Sequence, residues 1–176
     1  MGHTRIARQP IYDRQLKVFG YELLYRPDDL NRGRELDGDS ATSSVLGSAF
    51  SDLGIERLVG DKVAFVNFTR NLLLDDSIDN LPPEVLVVEV LEDIEPDEEV
   101  VSAVRKLAGQ GYTIALDDFC FREELEPLLD VADIVKVDIA VLTREELRFN
   151  VEALRRWPVR LLAEKVETPE EFEFCR

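Results

Sequence analysis

The sequence predicts an α/β fold in which short buried strands alternate with amphipathic helices, after an antiparallel pair of strands at the start. Five apolar runs of six or seven residues, at 62–68, 85–91, 112–118, 134–139 and 159–164, are separated by segments with helical periodicity. This alternation is typical of a parallel sheet with right-handed crossovers. A closed barrel and an open doubly wound sheet both fit the pattern.

Within the first 54 residues, the sequence predicts a β-hairpin followed by one helix. Residues 5–12 and 16–25 flank the turn Asp13-Arg14-Gln15 and predict two antiparallel strands. The polar segment 27–39 is expected to be a loop. Ser40 is then predicted to cap a helix that ends at Gly54. Its buried stripe comprises Val45, Leu46, Phe50 and Leu53.

Helix-capping residues and apolar periodicity predict where the later helices lie. Residues 97–108 carry valine and leucine on one face, and Thr143 with Glu146 forms a capping box for a helix over 143–157. Thr168 begins a last helix, with proline at its first position. The count of about seven strands is one fewer than a closed barrel needs. We therefore expect a single domain over 1–176 that lacks its last strand and any following domain. Residues 1–3, which include the only histidine, are typical of an expression-vector remnant.

Composition excludes several classes of function. The formal net charge of −16 disfavours duplex nucleic acid as a partner, and no apolar run is long enough to span a membrane. Cys120 and Cys175 have neither a disulfide pattern nor zinc spacing, which favours a cytoplasmic location. A single histidine, His3, disfavours histidine-dependent chemistry. Catalysis by this chain must therefore depend on carboxylates, lysine and metal.

Polar side chains interrupt or end most of the predicted strands. Each alone is typical of a strand-end cap or a buried ion pair, but in parallel α/β folds the carboxyl ends of the strands converge on one face. Carboxylates at that density indicate Mg²⁺, Mn²⁺ or Ca²⁺, and an adjacent aspartate pair suits two ions that activate water for attack on a phosphodiester. A lysine in this set acts either as a counter-ion or on the attacking water. The residues are Glu22, Asn67, Glu89, Asp117, Asp118, Lys136 and Glu164.

Six ordered motifs resemble the EAL domain family of cyclic di-GMP phosphodiesterases and their degenerate relatives. The stretch YELLYR is similar to the family's E-x-L-x-R signature, with Leu23 in place of the eponymous alanine. VNFTRNLL, VVEVLE, LDDF, VKVDI and AEKVET resemble the motifs that follow. YELLYR and AEKVET further resemble the subgroup in which an HDOD domain follows. The resemblance implies a TIM-like (β/α) barrel of EAL type, here incomplete.

The resemblance also implies roles for individual residues and a reaction, the hydrolysis of cyclic di-GMP to pGpG with Mg²⁺ or Mn²⁺, which Ca²⁺ inhibits. Metal ligands would be Glu22, Asn67, Glu89, Asp117 and Asp118. Catalytic residues would be Lys136, Glu164 and Glu167. Contacts to the dinucleotide would come from Gln9, Leu24 and Arg26.

Two departures from the family pattern keep an alternative open. The loop after Asp117-Asp118 contains no glycine, and Lys165 replaces the glycine of A-E-G. A degenerate domain that acts as a cyclic di-GMP receptor or signalling scaffold without turnover is therefore weighed equally with an enzyme. For this segment alone we expect weak turnover or none. The missing strand predicts an open edge at which a second copy or a partner domain pairs.

Overall fold

The computed structural model describes residues 5–26, 38–52, 54–75, 78 and 81–176, and contains seven strands that are hydrogen-bonded in sequence order. The strands are β1 (Arg5–Tyr12), β2 (Val18–Arg26), β3 (Val63–Phe68), β4 (Leu86–Val90), β5 (Thr113–Leu116), β6 (Ile134–Asp138) and β7 (Arg160–Glu164). The helices are α1 (Gly38–Leu46), α2 (Ile55–Val59), α3 (Arg70–Leu74), α4 (Glu98–Gly109), α5 (Glu126–Leu129), α6 (Arg144–Leu154) and α7 (Pro169–Cys175). Two compact units divide the chain, Met1–Glu89 and Val90–Arg176.

The first unit opens with the predicted antiparallel hairpin. Asp13 closes the turn, because its carboxylate accepts the backbone N–H groups of Gln15 and Lys17. β2 then pairs in parallel with β3, at Gly20 opposite Val63. A Cβ atom on Gly20 would lie 2.8 Å from a methyl carbon of Val63, so this close approach requires glycine. The strands bury an apolar core that includes Leu23, Phe65 and Phe68.

The second unit alternates strands with amphipathic helices. β5, β6 and β7 are parallel neighbours, and α4 buries Val100, Val101, Val104 and Leu107. Capping boxes begin both α6 and α7, formed by Thr143 with Glu146 and by Thr168 with Glu171. These caps fix the points at which the chain leaves each strand end and re-enters a helix.

Some elements differ from the sequence-based expectation. The first helix begins at Gly38 rather than Ser40 and continues as a π-helix over Gly47–Asp52, and Gly54 with φ +79° precedes α2. The five-residue helices α2 and α3 were not predicted, because so short a helix shows little periodicity. Residues 27–37 of the predicted loop and Leu53 of the predicted stripe lie outside the described residues.

Within the described ranges, every helix is too short or too polar to cross a lipid bilayer.

Candidate active site

Three carboxylates gather where β5 and β7 end. Asp117 and Asp118 directly follow β5, and Glu164 is the last residue of β7. One oxygen atom from each carboxylate lies within 4.8 Å of the others. The carboxyl ends of parallel strands meet at one edge of a sheet, which explains how residues nearly 50 positions apart come together. We refer to these three residues as the acidic cluster.

Lys136 lies beside the acidic cluster, in the middle of β6. Its ammonium nitrogen is 2.6 Å from Oδ1 of Asp117 and 3.0 Å from Oε1 of Glu164. The residue is only 1% exposed. A buried ammonium group is stabilised only when carboxylates compensate for its lost hydration. Lys136 therefore holds two of the three carboxylates in place.

The electrostatics of Glu164 suit a group that binds a cation. Burial raises the pKa of Glu164 to about 7, and the negative charges of Asp117 and Asp118 add to this effect, while the Lys136 ammonium opposes it. Its second oxygen, Oε2, is buried and accepts no hydrogen bond from any residue that the structure describes. A divalent ion at this place would satisfy that oxygen and neutralise the mutual repulsion. Hard carboxylate oxygens are the ligands that Mg²⁺, Mn²⁺ and Ca²⁺ prefer, so the donor set fits such an ion.

Asp138 and Lys165 lie next to the acidic cluster, and neither was among the predicted site residues. Asp138 is two residues beyond Lys136 on β6, so both side chains lie on the same face of the sheet. Its buried carboxylate accepts a hydrogen bond from the Lys165 ammonium and another, at 2.8 Å, from the backbone N–H of Ala140. Burial opposes ionisation of Asp138, but these hydrogen bonds outweigh it and lower its pKa. The aspartate of the K-x-D pattern in VKVDI was the available sequence signal.

The loop after the aspartate pair is held by two hydrogen bonds. The backbone N–H of Phe119 donates to the carbonyl of Lys136 at 2.8 Å. The N–H of Phe121 donates to the buried side-chain oxygen of Asn150, on α6, at 2.6 Å. Asp118 itself adopts φ +39°, a conformation that usually favours glycine. The glycine-free loop therefore changes direction at Asp118, and Asn150 is a positioning residue that sequence patterns did not reveal.

A cleft of about 230 Å³ adjoins the aspartate pair. Its walls are mostly apolar and include Phe119 and Leu125, while Glu92 and Arg122 supply charged groups. Ligand pockets commonly enclose roughly 300–1,000 Å³. The cleft alone is therefore large enough for only part of a dinucleotide.

The first unit aligns three predicted site residues on one face of its sheet. Gln9 lies opposite Glu22 in the hairpin, and Glu22 lies opposite Phe65 in β3. Paired residues share a face, as do alternate residues along a strand, so Asn67 lies on the same side as Phe65. Oδ1 of Asn67 is buried and accepts no hydrogen bond from the part of the chain that the structure describes.

Glu89 joins this face through the register of β3 and β4. The backbone N–H of Ala64 donates to the carbonyl of Val85 at 2.8 Å, which places Ala64 beside Leu86 in a parallel ladder. Three residues further along both strands, Asn67 lies beside Glu89. Glu89 is fully buried. That Glu22, Asn67 and Glu89 share an ion with Asp117 stays a prediction.

The remaining predicted residues lie at varied places. Leu24 is half-buried opposite Ala7, and Arg26 is exposed at the end of β2, opposite Arg5. Glu167 is exposed and does not belong to the acidic cluster. Its backbone N–H donates to the Glu171 carboxylate at 2.9 Å, within the cap of α7. The structure thus brings together Asp117, Asp118, Glu164 and Lys136, and leaves Glu167 outside that contact.

Comparison with solved structures identifies the fold. Over 97% of its length the chain matches the Bacillus subtilis YkuI protein, which has an EAL domain, in complex with its substrate c-di-GMP and calcium. The TM-score is 0.70 at 18% identity, and the match covers 50% of that chain. The chain thus has the fold of an EAL domain, which confirms the predicted incomplete TIM-like barrel.

Two curated relatives are more similar in sequence. The chain is 39% identical over 173 residues to the uncharacterized protein YuxH of Bacillus subtilis, and covers 96% of itself and 42% of that protein. It is 36% identical over 179 residues to the cyclic di-GMP phosphodiesterase CdgJ of Vibrio cholerae, with 98% and 41% covered. The chain therefore spans about two fifths of the length of these relatives. No protein-family model matches it.

These comparisons confirm the resemblance to the EAL family that the six motifs indicated. Membership of the subgroup with a following HDOD domain stays a prediction.

Proposed function

We propose that this chain is the phosphodiesterase domain of a longer protein, and that it hydrolyses one phosphodiester bond of cyclic di-GMP to give linear pGpG, with Mg²⁺ or Mn²⁺. The observation that carries the proposal is the acidic cluster with Lys136 buried beside it, at the carboxyl ends of parallel strands. Sites of this composition suit phosphodiester hydrolysis, in which charge on phosphoryl oxygens must be neutralised and a water molecule activated. The similarity to a relative named as a cyclic di-GMP phosphodiesterase supports this choice of substrate.

The proposed ligands fall into two groups. Glu22, Asn67, Glu89 and Asp117 would hold one ion, and the acidic cluster would hold the second. The buried oxygens of Asn67 and Glu164 that lack hydrogen bonds support both assignments. When bound, the ions would polarise the phosphodiester and lower the pKa of the attacking water.

The chain's own residues would orient the reactants. Lys136 is already held by Asp117 and Glu164, so its ammonium has a fixed position from which to donate a hydrogen bond to water or to a phosphoryl oxygen. Glu164, with a pKa of about 7 in the absence of metal, can exchange a proton near neutral pH. Glu167 is proposed only to support this network from outside the acidic cluster.

Substrate contacts are proposed from the first unit. Gln9 and Arg26 are exposed on β1 and β2 and offer hydrogen-bond donors to guanine or phosphate, while Leu24 offers apolar surface. The strongly acidic chain repels polyanions, so bound cations would be required before a phosphate group approaches. The cytoplasmic location and the pairing through an open sheet edge stay predictions.

A second candidate is a cyclic di-GMP receptor or signalling scaffold without turnover. It is favoured by Lys165, whose ammonium contacts Asp138 and lies 3.6 Å from Oδ2 of Asp118. A protein cation in this position takes carboxylate oxygens that a catalytic ion needs. Ligand binding through the first unit could then persist while hydrolysis is lost.

The two candidates are separated by one experiment on the chain and on the longer protein that contains it. Cyclic di-GMP is incubated with Mn²⁺ and the formation of pGpG is followed, and binding is measured separately in Ca²⁺. The variants are Asp117→Asn and Glu22→Gln, with Glu152→Gln as the control because Glu152 is an exposed surface carboxylate on α6.

Product that is lost in both variants and retained in the control supports the phosphodiesterase. Binding in Ca²⁺ without product in Mn²⁺ supports the receptor. If the longer protein neither binds nor hydrolyses cyclic di-GMP, both candidates are wrong.

A further inference from the structure

We propose that the ammonium group of Lys165 is a tethered cation that competes with a divalent ion for the carboxylates of Asp118 and Asp138. The proposal rests on the metal binding that the proposed function requires, but not on turnover. Lys165 donates a hydrogen bond to Asp138 and lies 3.6 Å from Oδ2 of Asp118. Two carboxylates of one site are thus already partly neutralised by the protein itself.

The backbone at Lys165 makes this contact possible. Consecutive residues of a strand point to opposite faces of the sheet, so Glu164 and Lys165 should not reach the same group of side chains. Lys165 adopts φ +58°, in the left-handed region that favours glycine. This turn breaks the alternation, and both side chains engage the strand-end carboxylates.

Asp118, the partner of Lys165 in this contact, also has a positive φ. With φ +39° it breaks the alternation after Asp117, so both aspartates contribute to the acidic cluster. Among the described residues, only three that are not glycine have positive φ, and two of them form this ion pair. Unfavourable backbone conformations persist where surrounding contacts compensate for them, and they concentrate at functional sites.

The charges explain why Lys165 and a metal ion would compete. Asp117, Asp118, Asp138 and Glu164 carry four negative charges when ionised, and two ammonium groups, Lys136 and Lys165, carry two positive charges. The resulting formal charge of −2 is balanced by one divalent ion, and a second ion would leave an excess of positive charge. Without Lys165 the formal charge is −3, which favours tighter binding or a further ion.

The Lys165 ammonium group can also move away from the carboxylates without unfolding of the site. Its side chain is 53% exposed, whereas that of Asp138 is 5% exposed. The ammonium can withdraw into water while the carboxylate stays in place. At low metal concentration Lys165 therefore occupies the carboxylates, and at high concentration an ion displaces it.

The test is direct Mn²⁺ binding to the full chain, measured by electron paramagnetic resonance without any dinucleotide. The variants are Lys165→Gln and Lys165→Gly, which remove the charge, and Lys165→Arg, which keeps it. Glycine also suits the positive φ, so that variant stays informative if glutamine impairs folding. Lys106→Gln is the matched control, because Lys106 is an exposed lysine in the last turn of α4.

We expect Lys165→Gln and Lys165→Gly to bind Mn²⁺ roughly tenfold more tightly, or to bind an additional ion, because a nearby positive charge is lost. Lys165→Arg and Lys106→Gln should change affinity by less than about twofold. In the wild-type protein, the NMR signal of the Lys165 side chain should shift as Mg²⁺ is added.

Two failures are distinguishable. If the wild-type chain binds Mn²⁺ and removal of the Lys165 charge leaves affinity equal to that of Lys106→Gln, the competition is wrong while the metal site stands. If neither the wild type nor any variant binds Mn²⁺, the competition and the metal-dependent function are both wrong.

Discussion

Replacement of Lys136 by methionine should destabilise the fold strongly at alkaline pH and much less at acidic pH. The Lys136 side chain is 2% exposed, and its ammonium nitrogen lies 2.6 Å from Asp117 and 3.0 Å from Glu164. Methionine keeps the length and apolar stem of the side chain but removes the charge. Removal of one partner from a buried ion pair costs about 3–5 kcal/mol, because the remaining charge is left uncompensated.

The magnitude can be expressed as a change in melting temperature. In a protein of this size, a destabilisation of 1 kcal/mol lowers Tm by about 2–4 °C. Near pH 8 the Tm of Lys136→Met should therefore fall by roughly 6–20 °C. Addition of Mn²⁺ should recover part of the loss, since a bound ion replaces the missing positive charge.

The sign of the pH dependence follows from Glu164. Its pKa is raised from 4.5 to about 7 in the folded protein, so the folded state holds more protons than the unfolded state between these values. Stability from this group is complete below about pH 4.5 and is lost as the pH rises through 7. The Lys136 ammonium lowers the pKa of Glu164. In Lys136→Met this pKa is therefore higher still, and Glu164 stays protonated up to a higher pH. Below about pH 6 the protonated carboxyl no longer repels Asp117, and the deficit should shrink.

Differential scanning fluorimetry at about pH 8 and about pH 5.5 measures both effects. Lys106→Met serves as the control for loss of a surface charge, and Lys136→Met combined with Glu164→Gln should recover stability near pH 8. A Tm change below about 2 °C near pH 8, or an equal change at both pH values, would refute the assigned ion pairs.

Two other predictions follow from the same site. Because the pKa of Glu164 lies near 7 without metal, binding of Mn²⁺ near pH 6.5 should release protons, and the affinity should fall as the pH falls. Titration calorimetry in buffers of different ionisation enthalpy measures the proton release. A binding enthalpy that does not depend on the buffer would contradict this prediction. Asn150→Ala should cost about 1–3 kcal/mol, because the Phe121 N–H loses its buried acceptor. Hydrogen exchange at Phe121 should rise more than at Val100, whose cap at Asp97 is unchanged; equal changes would count against this role.

The strands could be predicted from the sequence because each is a short apolar run with clear ends. β1 was predicted with its observed limits, and β7 differs by one residue. Capping boxes at Thr143 and Thr168 are local signals, and both are present. The π-helix after α1 was missed, because hydrophobic periodicity does not distinguish it from a continuing α-helix.

The sequence could predict only the part of the site that follows from the direction of the strands. Asp117 and Glu164 follow or end strands, so their proximity follows from a parallel sheet. Asp138 belongs to a motif that was recognised, but its buried contact with Lys165 depends on a residue across the strand ends. Asn150 acts through a helix more than 25 residues away in sequence, and a polar residue on a helix carries no signal of such a contact.

The face of the sheet on which a side chain lies cannot be predicted from sequence alternation at residues with positive φ. Alternation along a strand assigns each side chain to a face, and the assignment fails wherever φ becomes positive. At Asp118 and Lys165 it fails on both sides of one ion pair, because strict alternation would turn these two side chains away from Asp117 and Glu164. Neither residue is of a type that usually adopts this conformation as readily as glycine. The contact of Lys165 with Asp118 and Asp138 therefore depends on backbone geometry at two positions, which residue type alone does not predict.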